Sequence, residues 1–309
     1  MKPLLILVGP TAVGKTEVSL RLAQALDGEV VSADSRQVYR GMDIGTAKPS
    51  PAELAAVPHH LIDIKSPGEV ISLGEYKQLA EACIADIQGR GRLPLLVGGT
   101  GQYVRAVVQG WTVPEVPPQP DLRAELAELA ERAGKDALFA RLQALDPASA
   151  ARIDPRNLRR VIRAIEVTLV SGRPFSAWQT HVPPPFTPIQ IGLTRPREQL
   201  YARADARIEG MFAAGFVAEV EKLLAAGYGP DSPGFSSLGY REVAAYLAGE
   251  HDLETAQLLI RRRTREFIRR QYNWFRLDDP AINWFDLAES VVSIQYSVIS
   301  GQWSVISKN

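Results

Sequence analysis

The chain contains little cysteine and histidine, and its opposite charges balance. Among 309 residues there is one cysteine, Cys83, which excludes an intramolecular disulfide and any metal cluster built on several thiolates. Lysine and arginine total 35, as do aspartate and glutamate, so no overall field draws the chain toward nucleic acid or an anionic membrane. Any polyanion must therefore be bound by a local patch.

Long apolar runs are absent as well. The run at residues 4–8 ends at Gly9-Pro10 and is too short for a signal peptide, and no stretch is long enough to cross a bilayer. We therefore expect no membrane association and a cytoplasmic protein. The adjacent pair His59-His60 has no further ligand nearby in the sequence, which favours a structural or substrate-loop role over a metal site.

What the sequence does contain, directly after the first apolar run, is the phosphate-binding pattern G-x-x-x-x-G-K-[ST]. A predicted strand precedes it and a predicted helix follows. Backbone N–H groups of such a loop surround an anion, the helix N-terminus adds partial positive charge, and a lysine adds a full one. The pattern predicts a site for a diphosphate or triphosphate, in which Thr16 offers a hydroxyl to Mg²⁺. The loop consists of Gly9, Pro10, Thr11, Ala12, Val13, Gly14, Lys15 and Thr16.

The first part of the chain alternates predicted strands and helices, which is typical of a parallel sheet with helices on both faces. In such sheets ligands bind beyond the carboxyl ends of the strands. Three polar turns are expected there: the phosphate loop, Asp34-Ser35 and Gly98–Gly101. The predicted strands are residues 4–8, 29–33 and 94–97, and the predicted helices are residues 14–26, 73–87 and a helix from 102.

Two proline-rich stretches, residues 113–120 and 182–188, enclose residues 121–145 and 157–170, which have helical periodicity. Because another strand is predicted at 189–193, the sequence favours an insert over two sequential domains. The predicted fold class is α/β, a P-loop-containing parallel sheet core flanked by helices, with a helical insertion domain. The predicted divisions are a core of 1–114 and 186–286, an insert of 115–185 and a low-complexity tail of 287–309.

Asp34 follows a predicted buried strand near the phosphate loop. It is interpreted either as a helix cap or Mg-binding carboxylate, or as a general base or acceptor for a substrate N–H, and spacing does not separate these roles. The glycine-rich turn Gly98–Gly101 is a second anion-receptive turn.

Two segments concentrate arginine. Arg156, Arg159, Arg160 and Arg163 recur at helical spacing, which indicates either a solvated basic face or a face that contacts nucleic-acid phosphates. On the predicted helix 253–275, one arc is basic and a second is apolar. Packing of the apolar arc turns the basic arc outward, which indicates an anion-binding face with nucleic acid favoured. The basic arc contains Arg261, Arg262, Arg265, Arg269 and Arg276, and the apolar arc contains Ile260, Phe267, Ile268, Trp274 and Phe275.

The ordered set of these segments resembles the tRNA dimethylallyltransferases, also called tRNA isopentenylpyrophosphate transferases. The resemblance implies transfer of the dimethylallyl group from dimethylallyl diphosphate to the N6 amine of adenosine 37, in tRNAs that read codons beginning with U. The products would be N6-(dimethylallyl)adenosine and diphosphate. The phosphate loop would then hold a leaving group instead of ATP. The matching segments are residues 9–16, 34–39, 41–49, 58–63, 98–103, 159–167, 237–242 and 269–276.

The resemblance also implies roles for single residues. Asp34 would deprotonate the amine, and Thr16 and Arg207 would bind the diphosphate together with Mg²⁺. The insert would clamp the tRNA anticodon stem-loop, with the target base flipped into a channel. We expect a monomer. The positions that match tRNA contacts are Asp34, Ser35, Arg36, Gln37, Thr100, Arg123, Arg159, Arg160, Val161, Ile162 and Arg163.

Three other classes of protein remain open from the residues alone. A phosphoryl transferase would use Lys15 and Thr16 on ATP and Asp34 to activate a hydroxyl. An adenylate prenyltransferase would act on a free nucleotide. Neither needs the arginine-rich faces or the insert, and a non-catalytic RNA-binding protein would not need the intact loop.

Overall fold

A computed structural model describes residues 1–178 and 180–288 of the chain. They form two compact units. Among the described residues, the first contains Met1–Val108 and residues 185–288, and the second contains the remainder, within Gln109–Pro184. Residues 289–309, which make up nearly all of the predicted tail, lie outside the described part.

The first unit contains one parallel sheet, which confirms the predicted fold class. Its strands are β1 (Lys2–Val8), β2 (Gly28–Ser32), β3 (His59–His60), β4 (Leu93–Gly98), β5 (Phe186–Thr194) and β6 (Ile282–Asp286). The strand order is β3-β2-β4-β1-β5-β6, and every pairing is parallel. The sequence reading missed β3, which has two residues, and β6, which follows a long helical region.

Twelve α-helices occur among the described residues. They are α1 (Lys15–Ala25), α2 (Pro51–Ala56), α3 (Leu73–Gly89), α4 (Gly101–Val108), α5 (Pro120–Arg132), α6 (Lys135–Leu145), α7 (Pro147–Ala150), α8 (Leu158–Ser171), α9 (Arg197–Ala213), α10 (Phe216–Ala225), α11 (Tyr240–Leu247) and α12 (Leu253–Trp274). None of the described helices has the length and apolar character needed to span a membrane.

Successive side chains of β1 point to opposite faces of the sheet, as in any β-strand. Leu4 and Ile6 pack in one apolar cluster with residues of α3 and α4. Leu5 and Leu7 pack in another cluster with residues of α1, α9 and α12. Both faces are therefore covered, and β1 reads as a continuous apolar run.

The order of the strands places the phosphate loop at the centre of the sheet. β1 pairs with β4 on one side and with β5 on the other. Strands β2, β3 and β4 lie on the first side of β1, and β5 and β6 lie on the second, so the direction in which strands are added reverses at β1. Ligands bind beyond the carboxyl ends of the strands at such a switch point. The phosphate loop, Asp34, Gly99 and Arg195 all follow the carboxyl ends of neighbouring strands.

The second unit is helical and has its own apolar core. Helices α5, α6 and α8 contribute Leu126, Leu138 and Val161 to one buried cluster. The helical segment predicted at 121–145 is two helices, because Gly134 at the start of α6 has a φ of 86°. The end of α8 is near the predicted one.

The predicted boundary at 114–115 falls inside the second unit. The first and last segments of this unit are joined to one another by backbone hydrogen bonds. Thr112 N–H donates to Thr180 O at 2.9 Å, and Val182 N–H donates to Gly110 O at 2.8 Å. Because of these hydrogen bonds, the second unit begins at residue 109.

Candidate active site

The phosphate loop has the strand–loop–helix form that its pattern predicts, between the end of β1 and the start of α1. Gly9 needs to be glycine, because its φ is 148° and a Cβ would lie 2.5 Å from Leu193 O. Ala12 also has a positive φ, 64°. The backbone of the loop is thus held in a conformation that most residues avoid, which is common at ligand sites.

Lys15 folds back over the loop. Its Nζ donates to Gly9 O and to Pro10 O, both at 2.9 Å. Burial lowers the pKa of the Lys15 amine from 10.5 to about 8, an effect that Asp34 opposes and Arg207 reinforces. An anion bound in the loop would restore a favourable environment for the ammonium form.

Arg207 projects from α9 to the same loop. Its Nη2 donates to Thr11 Oγ1 at 2.9 Å, while its Nε is buried without a hydrogen-bond partner among the described residues. Burial lowers the pKa of Arg207, with Asp34 opposing and Arg203 reinforcing the shift. A buried guanidinium with an unused N–H is suited to an oxyanion, because arginine donors form strong, oriented bonds to phosphate oxygens.

Two further arginines brace the loop from its carbonyl side, and the sequence reading missed both. Arg203 Nε donates to Ala12 O at 2.9 Å, and Arg195 Nε donates to Val13 O at 3.0 Å. Arg203 lies four residues before Arg207, a spacing that places both on one face of a helix. The four-residue spacing from Arg207 could have predicted Arg203. For Arg195, only its position directly after a strand indicated a place near the site.

Asp34 follows β2, and its Oδ1 accepts the N–H of Arg36 at 2.8 Å. The next residue is anchored to the glycine-rich turn after β4: Ser35 N–H donates to Thr100 Oγ1 at 3.0 Å, and Thr100 N–H donates to Ala33 O at 3.2 Å. The structure therefore brings Asp34, Ser35 and Thr100 together, at the same sheet edge as the phosphate loop.

Arg36 and Gln37, which matched tRNA contacts, have partners within the protein. Arg36 Nη1 donates to Ser236 Oγ at 2.6 Å. Gln37 Nε2 donates to Ala47 O at 3.1 Å, and its Oε1 accepts the Ser32 hydroxyl at 3.3 Å. Both side chains thus have a structural role in this conformation.

The segment 41–49 is held by a carboxylate that sequence reasoning missed. Glu219 on α10 accepts the N–H groups of Asp43, Ile44 and Gly45 at 2.8, 2.7 and 3.1 Å, and the Tyr240 hydroxyl at 2.7 Å. Because Glu219 is far from these residues in the sequence, no local pattern predicted the contact.

The basic arc of α12 is partly paired with acidic side chains of α9. Arg261 pairs with Glu209 at 3.0 Å and Arg265 with Asp205 at 2.5 Å, and both acids are on α9. The arc is also less cleanly divided than the periodicity indicated, because Phe267 of the apolar arc is exposed. Acidic partners distant in sequence therefore neutralise part of the predicted anion-binding face.

In the second unit, Arg123 and Arg163 converge on Glu166, which is fully buried. Arg123 Nε lies 2.7 Å from Glu166 Oε1, Arg163 Nη1 lies 2.6 Å from Oε2, and Gln119 N–H donates to Oε1 at 2.7 Å. Burial alone would raise the pKa of Glu166, but these hydrogen bonds outweigh it and lower the pKa to about 2. Both arginines therefore stabilise the unit internally.

The predicted segment 159–163 divides by exposure. Arg159 and Arg160 are exposed near the start of α8, whereas Val161 is fully buried in the core of the unit and Ile162 is half-buried. The side chain of Val161 is thus unavailable to a partner in this conformation, because the apolar face of α8 requires it. Arg159 and Arg160 are the free charges of this segment.

The remaining candidate ligands do not gather at one point. Within residues 1–178 and 180–288, no three His, Cys, Asp or Glu side chains are placed to hold a metal ion. His59 and His60 form β3, and His60 Nε2 lies 2.7 Å from Glu29 Oε2. Thr16 is exposed at the start of α1.

This fold and loop define a P-loop protein, and comparisons with known proteins narrow the class. The model of the IPP transferase family matches residues 37–278. A tRNA dimethylallyltransferase of Chloroflexus aurantiacus is 60% identical over 276 residues, which cover 89% of this chain and 93% of that protein. Another, of Thermomicrobium roseum, is 46% identical over 93% of this chain and 87% of its own length. The chain therefore belongs to the IPP transferase family.

Solved structures agree with this assignment. The full-length tRNA isopentenylpyrophosphate transferase of Bacillus halodurans matches with a TM-score of 0.71 and 41% identity, over 97% of this chain and 96% of that one. A eukaryotic dimethylallyltransferase acting on tRNA matches with a TM-score of 0.81 and 25% identity, over 100% of this chain and 82% of that one.

Proposed function

We propose that this chain transfers the dimethylallyl group from dimethylallyl diphosphate to N6 of adenosine 37 in tRNAs that read codons beginning with U. The observation that carries the proposal is the position of Lys15 and Arg207 around the phosphate loop, with Asp34 at the end of a nearby strand. Lys15 and Arg207 are suited to a departing diphosphate, and Asp34 is suited to an attacking amine. The names of the relatives support the same reaction.

On the leaving-group side, the bond between the allylic carbon and the diphosphate oxygen breaks, and its electrons go to that oxygen. Lys15 and Arg207 and the backbone N–H groups of the loop stabilise the charge that develops there. The unused Nε–H of Arg207 is a donor available for this purpose. The transferred atom is carbon, so the loop acts as the holder of the product diphosphate.

On the amine side, the N6 lone pair of adenosine forms the new bond to the allylic carbon, and one N6 proton leaves. Asp34 is the acceptor for that proton, because a positioned carboxylate can act as a general base. Its Oδ1 already accepts the Arg36 N–H, which holds the carboxylate in place. The products are the N6-prenylated nucleotide, diphosphate and a proton.

A divalent cation fits the loop. The Thr16 hydroxyl, exposed at the start of α1, is the hard oxygen donor that Mg²⁺ prefers in such loops, and diphosphate oxygens would complete its shell. When bound, Mg²⁺ supplies charge neutralisation to the diphosphate. Lys15 and Arg207 supply further positive charge.

We further propose that the second unit binds the tRNA anticodon stem-loop. Arg159 and Arg160 are its exposed basic pair at the start of α8, and phosphate contacts by arginine provide much of the affinity for nucleic acid. A monomeric, cytoplasmic enzyme completes the proposal.

Replacing Asp34 with asparagine tests the role of the carboxylate. We expect Asp34→Asn to lower turnover by about 10²–10⁴-fold, because general base catalysis contributes that much, while the Kd for tRNA stays within about twofold. The matched control is Asp27→Asn. Asp27 precedes β2 at its other end and pairs with Arg92, so its loss should leave turnover unchanged. Equal loss of tRNA binding and turnover in Asp34→Asn would show a recognition residue instead.

A further inference from the structure

A buried glutamine joins the two loops of the candidate site. Gln271 lies on α12 and is 4% exposed. Its Oε1 accepts the N–H of Thr11 in the phosphate loop at 2.7 Å, and its Nε2 donates to Gly99 O in the glycine-rich turn at 3.1 Å. Both ends of the amide are therefore hydrogen-bonded to backbone groups, one in the loop after β1 and one in the turn after β4.

Hydrogen bonds continue from both ends of this amide. On the phosphate-loop side, the Thr11 hydroxyl accepts from Arg207. On the other side, Thr100 follows Gly99 and accepts the N–H of Ser35, the residue next to Asp34. A continuous set of contacts thus connects the groups proposed for the leaving diphosphate with the carboxylate proposed for the amine.

The glutamine also explains why residue 99 is glycine. A Cβ at Gly99 would lie 2.2 Å from Gln271 Nε2, whereas the φ of Gly99 lies outside the left-handed region. The backbone conformation would admit a side chain there, but its Cβ would have to displace the amide. Glycine and glutamine are therefore matched to one another across the two elements.

We infer that Gln271 is a positioning residue that sets the separation between the phosphate loop and the Asp34 segment. The inference rests on the proposed function. The glutamine amide supplies one acceptor to Thr11 N–H and one donor to Gly99 O. A displacement of about 1 Å between reacting groups can lower a rate about 10²-fold, so this spacing is one that the reaction requires.

The first test replaces the amide with an apolar or an acceptor-only side chain. In Gln271→Met and Gln271→Glu we expect kcat for prenyl transfer to fall about 10–100-fold. The Kd for magnesium diphosphate, measured by calorimetry, and the Kd for tRNA should change less than about threefold, because the binding groups remain. Gln271→Glu keeps the side-chain size and the bond from Thr11, so it serves if the methionine variant does not fold.

A matched control is Gln88→Met. Gln88 is a buried glutamine of α3 whose Nε2 donates to Pro3 O at 2.9 Å, near the opposite edge of the sheet. It should lower the melting temperature as much as Gln271→Met does and leave kcat unchanged. Equal kcat losses in the two variants would reduce Gln271 to a stabilising role and overturn the inference.

The second test uses the match between Gly99 and Gln271. Gly99→Ala alone should lower kcat about tenfold or more, because the new methyl group displaces the amide. In a Gln271→Ala background the same change should cost less than about twofold, since the space is then empty. Additive losses would contradict the inference. A wild-type protein that binds no diphosphate would instead refute the proposed function, so the two failures are distinguishable.

Discussion

Arg207 and Thr11 are joined by a bond of 2.9 Å from Nη2 to Oγ1, and Nε of the same guanidinium is buried without a partner among the described residues. Leaving a buried donor unpaired costs about 1–3 kcal/mol in a folded protein. A bound diphosphate would give this N–H an acceptor and recover that cost.

Replacing Arg207 with lysine should therefore impair the reaction although the charge is kept. We expect Arg207→Lys to lower kcat/KM for dimethylallyl diphosphate by about 10²-fold, because an ammonium cannot reproduce the oriented N–H groups. Arg21→Lys is the control, since Arg21 pairs with Glu17 on the exposed side of α1. Steady-state kinetics decide, and an Arg207→Lys variant as active as the control would exclude Arg207 from diphosphate binding.

Lys15 makes diphosphate binding depend on pH. Burial lowers its pKa to about 8 in the free protein, and a bound anion would raise that pKa, so binding above pH 8 must take up a proton. The Kd for magnesium diphosphate should rise from pH 8 to pH 9.5 by up to about tenfold per pH unit. Calorimetry across this range should show a flatter profile in Lys15→Gln. Identical slopes in both proteins would assign the pH dependence to another group.

The exposed arginine pair of α8 should govern tRNA affinity. We expect Arg159→Gln with Arg160→Gln to weaken tRNA binding and to flatten its dependence on salt, because fewer phosphates are neutralised. Stability should be unchanged, since both side chains are exposed. Arg132→Gln, an exposed arginine on α5, is the control. A salt dependence equal to wild type in the double variant would place the tRNA contact elsewhere.

Glu166 should affect stability in a pH-dependent way. Its pKa is lowered to about 2, so its contribution is present above the unfolded pKa of about 4.3 and is lost as pH falls toward 2. Glu166→Gln should destabilise the protein by about 3 kcal/mol at pH 7, because Arg123 and Arg163 lose their buried partner. Urea unfolding at pH 7 and pH 3 measures this, with Glu128→Gln as the exposed control. A deficit that persists undiminished at pH 3 would contradict it.

Local patterns were sufficient to predict the elements that carry the chemistry. The apolar run before Gly9 predicted β1, and the phosphate-loop pattern predicted the turn into α1. The position of Asp34 at a strand end followed from the alternation of strands and helices. These features depend on neighbouring residues, which is why periodicity and turn residues reveal them.

Contacts between distant residues were beyond such patterns. The acids that neutralise Arg261 and Arg265 come from α9, and Glu219 reaches the segment 41–49 from α10. Gln271 lies in the segment 269–276 that matches the family, but periodicity did not predict its contacts, because an isolated glutamine in a helix is ordinarily a surface residue. Strand β6 follows a long helical stretch and depends on its pairing with β5.

The central claim concerns what the phosphate loop releases. The wild-type protein should be incubated with dimethylallyl diphosphate, Mg²⁺ and unmodified tRNA that carries adenosine 37, and the digested tRNA analysed by mass spectrometry. The account predicts N6-(dimethylallyl)adenosine at position 37 and an equal amount of diphosphate. Product with free AMP but none with tRNA, or turnover of ATP in place of the prenyl donor, would contradict it.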